Sequence, residues 1–151
     1  MIEIVQGSGL DIAAIMPVMN DAFDPEFGEA WTAAQCLSTL AMPGGQLLIA
    51  KSDGAIVGFA LSRGVMDEEE LLLIGALQSA RRQGVGRQLI ASLSQSCAEL
   101  GRSMIFLEVR DSNNAYIFYT SMGFQAIGRR SGYYKSTDGN KHDSITMALA
   151  L

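Results

Sequence analysis

The segment ARRQGVGRQLIASL, residues 80–93, contains three arginines and two glycines just where an apolar strand is followed by a helix. The preceding residues 70–77, ELLLIGAL, form a short apolar run that is typical of a buried strand. After Gly84 the apolar residues recur at helical spacing, and Gly101 stands at the position of a helix C-cap. The segment therefore predicts a glycine-rich connection from a strand into a helix, and the rest of the fold is interpreted around it.

A glycine-rich turn at a helix start leaves backbone N–H groups without partners at the positive end of the helix dipole. Because Gly84 and Gly86 have no side chains, an anion could approach the backbone closely, and the three arginines would add positive charge. An ordinary surface loop with arginines explains the segment about equally well. A dinucleotide fingerprint is excluded because Leu89 stands where its third glycine would be, and a phosphate-binding Gly-Lys-Ser/Thr sequence is absent.

The pattern on both sides of this segment predicts an α+β fold. A strand over residues 2–7 is followed by a helix that has Asp11 as its N-cap and ends before Pro25, and then by a second helical segment from Glu29 to Pro43. Three antiparallel strands occupy residues 46–78, separated by Ser52-Asp53-Gly54 and by Met66-Asp67-Glu68-Glu69. The predicted order β-α-α-β-β-β-α-β-α-β-β gives a mixed, mostly antiparallel central sheet flanked by helices. The last elements are the helix at 84–100, a strand at 103–109, a short helix at 113–124 and closing strands at 124–134 and 143–151.

Length and composition limit the class of protein. A chain of 151 residues with 48% hydrophobic residues is the size of one globular domain, so we expect a single domain over residues 1–151. The net charge of −5 argues against a nucleic-acid partner and permits a cationic substrate. The chain contains no long apolar run and no signal pattern, which favours a cytoplasmic protein with no membrane partner.

The cysteines and the histidine do not indicate a metal site. Cys36 and Cys97 lie in helical segments without CxxC spacing, and His142 is the one histidine of the sequence. We therefore expect no metal, no disulfide and two buried or half-buried thiols.

The sequence Arg81-Arg82-Gln83-Gly84-Val85-Gly86 resembles the Arg/Gln-x-x-Gly-x-Gly/Ala motif of the GCN5-related N-acetyltransferase (GNAT) family. Residues 107–124 resemble the later strand-loop-helix block of that family. Residues 129–149 resemble the C-terminal block of its bacterial ribosomal-protein-alanine N-acetyltransferases. The resemblance implies a GNAT fold, acetyl-coenzyme A (acetyl-CoA) as acetyl donor, and an amine as acceptor.

For the donor, the resemblance implies that the glycine-rich loop holds the pyrophosphate and that the preceding strand hydrogen-bonds the pantetheine arm. The alternative for this strand is that it is a plain central strand of the sheet. The resemblance also places Asn113 against the coenzyme, and the alternative for Asn113 is a helix N-cap. Many relatives have Asp-Pro after this strand, where this chain has Leu77-Gln78. The implied coenzyme-binding residues are Ile74, Gly75, Ala76, Arg81, Arg82, Gln83, Gly84, Val85, Gly86, Arg87 and Asn113.

For the chemistry, the resemblance implies that Glu108 is the general base and that Tyr119 protonates the departing thiolate. From the residues alone, Glu108 could instead pair with Arg110 or another cation, and Tyr119 could be a packing residue. Tyr116 is the competing tyrosine. Family members usually have one more residue between the glutamate and the tyrosine, which leaves the register of Asn113 and Tyr119 open.

For the acceptor, the resemblance implies that Tyr133-Tyr134 and Asp138-Gly139 border a peptide groove, with Trp31 and Phe27 as further candidates or as core residues. The run Asp67-Glu68-Glu69 would attract a basic N-terminus or form a solvated loop. The expected acceptor is the α-amine of a protein N-terminus, most readily that of a ribosomal protein. The alternatives are a small-molecule amine, a lysine side chain, or a non-catalytic acyl-CoA sensor or binding module. The oligomeric state is not predicted.

Overall fold

A computed structural model describes residues 1–151, with every side chain included except that of Glu26. In this part of the chain four α-helices and seven strands follow one another in the predicted order. Three single 3-10 turns lie between them. The elements are β1 (Ile2–Gly7), α1 (Ile12–Ala22), α2 (Ala33–Ala41), β2 (Gly45–Ser52), β3 (Ala55–Val65), β4 (Glu68–Ala76), α3 (Val85–Glu99), β5 (Met104–Arg110), α4 (Ala115–Ser121), β6 (Gln125–Lys135) and β7 (Lys141–Ala150).

The strands form one seven-stranded sheet in the order β1-β2-β3-β4-β5-β7-β6. Every neighbouring pair is antiparallel except β4 and β5, which are parallel. The predicted α+β class and the mixed, mostly antiparallel sheet are therefore confirmed. The parallel pair forms because α3 connects the two strands as a crossover.

Strands β4 and β5 pair over only three residues each. Glu68, Glu69 and Glu70 are in register with Met104, Ile105 and Phe106, and the pairing ends there. Strand β5 continues against β7 as far as Arg110, while β4 continues against β3 as far as Ala76. The two strands therefore diverge in the middle of the sheet. The edge of β4 beyond Glu70 faces the gap between them.

Two apolar clusters cover the two faces of the sheet. One cluster lies under α3 and α4, and the other lies under α1 and α2. The predicted stripe of α3 is buried, except that Leu100 is exposed because it caps the helix C-terminus. Both cysteines are free and buried, as the sequence predicted. No helix in the described residues is long and apolar enough to cross a membrane.

Three sequence-based boundaries are corrected. Helix α2 begins at Ala33, not at Glu29, because Thr32 and Gln35 form a capping box at 2.8 and 3.1 Å that closes the helix there. Asp11 precedes α1, but its carboxylate accepts from the Ser8 N–H and makes no bond to the helix it was expected to cap. The turn predicted over four residues spans only Met66 and Asp67, since the following glutamates belong to β4.

Candidate active site

The connection from β4 to α3 has the geometry of an anion-binding loop. Gly84 is the N-cap of α3 and has φ +84°, in the left-handed region that favours glycine. A Cβ built on Gly84 would have no atom within 4 Å, so the backbone here is open on its outer side. The N–H of Gln88 donates to the Gly84 carbonyl at 3.0 Å, and the N–H groups before it have no partner within the helix. These groups are available to an anion.

The loop is held against the end of α1. The backbone N–H of Gln78 donates to the Asp21 carboxylate at 2.7 Å, and its side-chain amide donates to the Asp21 carbonyl at 2.8 Å. The Arg81 guanidinium donates to the Ala22 carbonyl at 3.1 Å. Gln78, the second residue of the Leu77-Gln78 pair that stands where relatives have Asp-Pro, therefore attaches the loop to the neighbouring helix through its backbone N–H and its side chain.

A cavity of about 480 Å³ opens over this loop, and we call it the loop cavity. It is bordered by the end of β4, the glycine-rich turn and α4. Nine of the eleven residues expected to bind the coenzyme line it, together with Ala80 and Phe118. They are Ile74, Gly75, Ala76, Arg81, Arg82, Gly84, Val85, Gly86 and Arg87.

The other two residues expected at the coenzyme lie elsewhere. The Gln83 side chain folds back towards the Ser79 carbonyl at 3.4 Å and does not line the loop cavity. The Asn113 side chain accepts from the Ala115 N–H at 2.8 Å, but the N-cap of α4 is Asn114, so Asn113 is not the helix cap that the sequence offered as its alternative. Asn113 also lines a second cavity described next.

The second cavity has a volume of about 340 Å³ and lies on the other side of Ile74, which lines both cavities. We call it the acceptor cavity. Its wall combines the diverging parts of β4 and β5 with the segment after α1 and with β6. It brings together residues that are far apart in sequence: Phe27, Glu29, Trp31, Glu70, Glu108, Asn113, Tyr119, Tyr133 and Tyr134 are among its lining residues.

Glu108 projects from β5 into the acceptor cavity and is paired with a cation. Its carboxylate lies 3.2 Å from Nε of Arg130, and the two side chains are 20% and 60% exposed. The ion pair predicted as the alternative role for Glu108 therefore exists, but its partner is Arg130 of β6. The guanidinium of Arg130 also lies 5.2 Å from the ring centre of Tyr133.

Arg110, one of the cations that the sequence offered as a partner for Glu108, instead pairs with Glu29 at 2.7 Å. Its guanidinium carbon lies 3.4 Å from the centre of the Phe27 ring, which also makes an edge contact with His142. Both Arg110 and Val109 are buried. The ion pair and the ring contact attach the segment after α1 to the end of β5.

Tyr119 is 8% exposed, and it meets the rings of Phe118 and Phe124 at 5.6 Å. Tyr119 is therefore a packing residue, which was the alternative role given for it. It also lines the acceptor cavity, as Glu108 does. Burial, followed by the negative charge of Glu29, raises the pKa of the Tyr119 phenol well above its ordinary value. Tyr116 is half-buried against the core and does not line the cavity.

In the acidic run of residues 67–69, Asp67 and Glu68 are exposed, as in a solvated loop, whereas Glu69 is buried. Glu69 is 1% exposed, accepts from the Ser62 hydroxyl at 2.7 Å and pairs with Arg102 at 3.3 Å. It points away from the acceptor cavity and cannot attract a substrate. Strand alternation places its neighbour on the opposite face of the sheet, and that neighbour, Glu70, lines the cavity.

Glu70 is the site residue that sequence reasoning missed. It was part of the apolar run ELLLIGAL, so it was counted with the strand. Burial, followed by the negative charge of Glu108, raises the pKa of Glu70, and the positive charges of Arg130 and Arg63 oppose this rise. The Asp138-Gly139 turn lies outside the cavity lining, where the Asp138 carboxylate accepts from the Asn140 N–H at 2.9 Å.

The family model described as Acetyltransferase (GNAT) domain matches residues 17–135, which is most of the chain and includes the loop and both cavities. The chain belongs to the GNAT acetyltransferase family. This confirms the family resemblance and the predicted class of enzyme, an N-acetyltransferase. GNAT acetyltransferases use acetyl-CoA as the acetyl donor. In the described residues, no group of three or more His, Cys, Asp and Glu side chains is placed to hold a metal ion.

Relatives within the GNAT family are similar over most of their length. The ribosomal protein bS18-alanine N-acetyltransferase of Escherichia coli (strain K12) is 39% identical over 66% of this chain and 67% of the relative. The N-alpha-acetyltransferase RimI of Mycobacterium tuberculosis is 34% identical over 79% of this chain and 75% of the relative. A crystal structure of the ribosomal-protein-S18-alanine N-acetyltransferase from Escherichia coli superimposes with a TM-score of 0.88. That match is 31% identical and covers 99% of this chain and 94% of the other.

Proposed function

We propose that this GNAT protein transfers the acetyl group of acetyl-CoA to the α-amine of a protein N-terminus, with a ribosomal protein as the favoured acceptor. One observation carries the proposal. The loop cavity and the acceptor cavity meet at Ile74, so a donor held by the loop and an amine held near Glu108 would approach each other at the gap between β4 and β5.

The donor side fits an extended molecule that ends in a pyrophosphate. The open backbone at Gly84 and the free N–H groups of the α3 N-terminus suit an anion, and Arg82 and Arg87 add positive charge at the cavity wall. The unpaired edge of β4 at Ile74-Gly75-Ala76 offers backbone donors and acceptors, to which the amides of a pantetheine arm can pair as an added strand. Acetyl-CoA supplies the activated acetyl thioester when it is bound.

The acceptor must lose a proton before its nitrogen can attack. A protein α-amine has an ordinary pKa near 8, compared with about 10.4 for a lysine ammonium, so a single carboxylate is better matched to the α-amine. We assign Glu108 as the general base because its carboxylate lies in the acceptor cavity. Arg130 holds it there, and its exposed guanidinium can be displaced by the incoming ammonium group.

We assign Tyr119 as the general acid that protonates the departing sulfur. Its pKa is raised by burial, so the phenol keeps its proton throughout the neutral pH range. Trp31, Phe27, Tyr133 and Tyr134 give the acceptor cavity aromatic walls, which suit the start of a peptide chain. The relatives from Escherichia coli and Mycobacterium tuberculosis, named as a ribosomal protein bS18-alanine N-acetyltransferase and an N-alpha-acetyltransferase, support an N-terminal acceptor.

An acceptor panel tests the proposal. The protein is incubated with acetyl-CoA and three kinds of acceptor: peptides that begin with a free alanine, the same peptides with a blocked N-terminus and an internal lysine, and small polyamines. Mass spectrometry then locates the acetyl group. Acetylation of the free α-amine peptides supports the proposal. Modification confined to lysine or to polyamines overturns the choice of acceptor, and binding of acetyl-CoA without any transfer identifies a sensor.

A further inference from the structure

Strand β6 departs from regular pairing beside the acceptor cavity. Arg130 is in register with Ser144 of β7, and Tyr134 is in register with His142. Between these two pairs, residues 131–133 of β6 lie opposite a single residue of β7, so the strand contains a β-bulge, which we call the β6 bulge. Bulges are common next to active sites, where they change the direction in which side chains project.

The β6 bulge determines which side chains reach the acceptor cavity. Tyr133 and Tyr134 both line this cavity although they are adjacent in sequence. In a regular strand, adjacent residues project to opposite faces of the sheet, so only one of the two tyrosines could do so. Their ring centres lie 5.1 Å apart in an edge contact. Arg130, directly before the bulge, pairs with Glu108 and places its guanidinium 5.2 Å from the Tyr133 ring centre.

Asp143 is the residue of β7 opposite the bulge, and its carboxylate holds the bulge from the far side of the sheet. Alternation along β7 places Asp143 on the same face as Ile145, which packs in the cluster under α3 and α4. One carboxylate oxygen accepts from the Gly132 N–H at 2.9 Å, and the other accepts from the Arg129 guanidinium. Gly132 has φ +63°, in the left-handed region that favours glycine, so this bond stabilises an uncommon backbone conformation.

Asp143 acts on the acceptor cavity without contacting it, since it lines neither that cavity nor the loop cavity. The hydrogen bond from the Gly132 N–H, followed by the bond from Arg129, lowers the pKa of Asp143, so the carboxylate is ionised at neutral pH. A hydrogen bond to an ionised acceptor is stronger than one between neutral groups. The bond to Gly132 is therefore suited to fixing the shape of the bulge.

We propose that Asp143 is a positioning residue, which holds the β6 bulge so that the two tyrosines and Arg130 stay in place to receive a peptide acceptor. The inference rests on the proposed function, since it assumes that a peptide N-terminus enters the acceptor cavity. It assigns Asp143 no contact with either substrate and no part in binding the donor.

The experiment compares Asp143→Ala, Asp143→Asn and Asp111→Ala with the unaltered protein, using acetyl-CoA and a peptide that the unaltered protein acetylates. Asp111 is the matched control, because its carboxylate lies 3.4 Å from the same Arg129 guanidinium and its side chain is 32% exposed, against 27% for Asp143. We expect Asp143→Ala to raise KM for the peptide about tenfold, the factor that corresponds to one lost hydrogen bond to a charged group. Asp143→Asn keeps an oxygen that accepts from the Gly132 N–H and should stay within about threefold of the unaltered protein. Asp111→Ala should behave like the unaltered protein.

Two further measurements separate positioning of the acceptor from a general loss of stability. The affinity for acetyl-CoA, measured by calorimetry, should be equal in all four proteins, because no described residue of β6 or β7 lines the loop cavity. Amide hydrogen exchange, followed by NMR, should become faster at Gly132 and Tyr133 in Asp143→Ala and keep its rates along β5.

Three results would overturn the inference. They are equal peptide KM values in Asp143→Ala and Asp111→Ala, a loss of acetyl-CoA affinity that parallels the rise in peptide KM, and an Asp143→Asn variant as impaired as Asp143→Ala. Inactivity of the unaltered protein towards every peptide would instead reject the proposed function, and the role of Asp143 with it.

Discussion

Arg110 and Glu29 form an ion pair of 2.7 Å that joins the end of β5 to the segment between α1 and α2. Both side chains are largely buried, at 7% and 19% exposed, and the Phe27 ring lies against the guanidinium. The pair forms one wall of the acceptor cavity, since Glu29 and Phe27 both line it. This ion pair thus adds a buried charge contact to the packing that holds the segment between α1 and α2 against the sheet.

Replacing Arg110 with Met should destabilise the protein strongly. The change leaves the Glu29 carboxylate without its partner in a largely buried position, which typically costs about 3–5 kcal/mol. Urea unfolding measures the loss. The double variant Arg110→Met/Glu29→Gln should recover part of the free energy of unfolding, and Arg129→Met, which breaks an exposed pair, should change it much less. A similar loss in all three variants would contradict this account.

Replacing Glu108 with Gln should lower kcat by about 10²-fold or more, the usual contribution of a general base. The affinity for acetyl-CoA, measured by calorimetry, should stay near that of the unaltered protein, because Glu108 does not line the loop cavity. Asp111→Asn is the control, since Asp111 follows β5 but lines neither cavity. Parallel losses of affinity and turnover in Glu108→Gln would show that its role is misassigned.

Replacing Tyr119 with Phe should lower kcat while leaving the folded structure intact, because the ring that packs on Phe124 is kept. A general acid must carry its proton, so activity is lost as pH rises through its pKa. The pKa of Tyr119 is raised, so this basic limb should lie above the range of an ordinary tyrosine. Tyr116→Phe on the same helix should retain its activity. Equal rates for the two variants would remove Tyr119 from the mechanism.

Replacing Gly84 with Val should abolish acetyl-CoA binding before it affects anything else. The side chain would enter the loop cavity wall, and the left-handed backbone would add strain of about 1–2 kcal/mol. Gly54→Val is a close control, because Gly54 has φ +82°, has no atom within 4 Å of a built Cβ and lies in the distant β2-β3 turn. Calorimetry should show lost affinity in the first variant alone. An equal affinity in both would exclude the loop from donor binding.

Most of the fold could be predicted from local patterns. A helix begins at the glycines of segment 80–93. The spacing of apolar residues along the chain, alternating in strands and every third or fourth residue in helices, distinguishes the two kinds of element. The start of α2 was placed too early because residues 29–31 continue an apolar pattern, while the Thr32 capping box that sets the boundary depends on side-chain bonds. Glu68 and Glu69 were assigned to a turn because charged residues usually mark one.

The site was predicted less completely than the fold, because its residues come from strands that are distant in sequence and meet only in the folded sheet. The sequence by itself determined the glycine-rich loop and the order of elements, since each depends on neighbours a few residues away, while the candidate roles of Glu108 and Tyr119 rest on the family resemblance. Only the tertiary structure decided that β4 and β5 diverge after Glu70, that Arg130 and not Arg110 pairs with Glu108, and that Glu69 is buried while Glu70 faces the acceptor cavity. These relationships join β4, β5 and β6, which are distant in sequence, and strand pairing and register determine which side chains meet there.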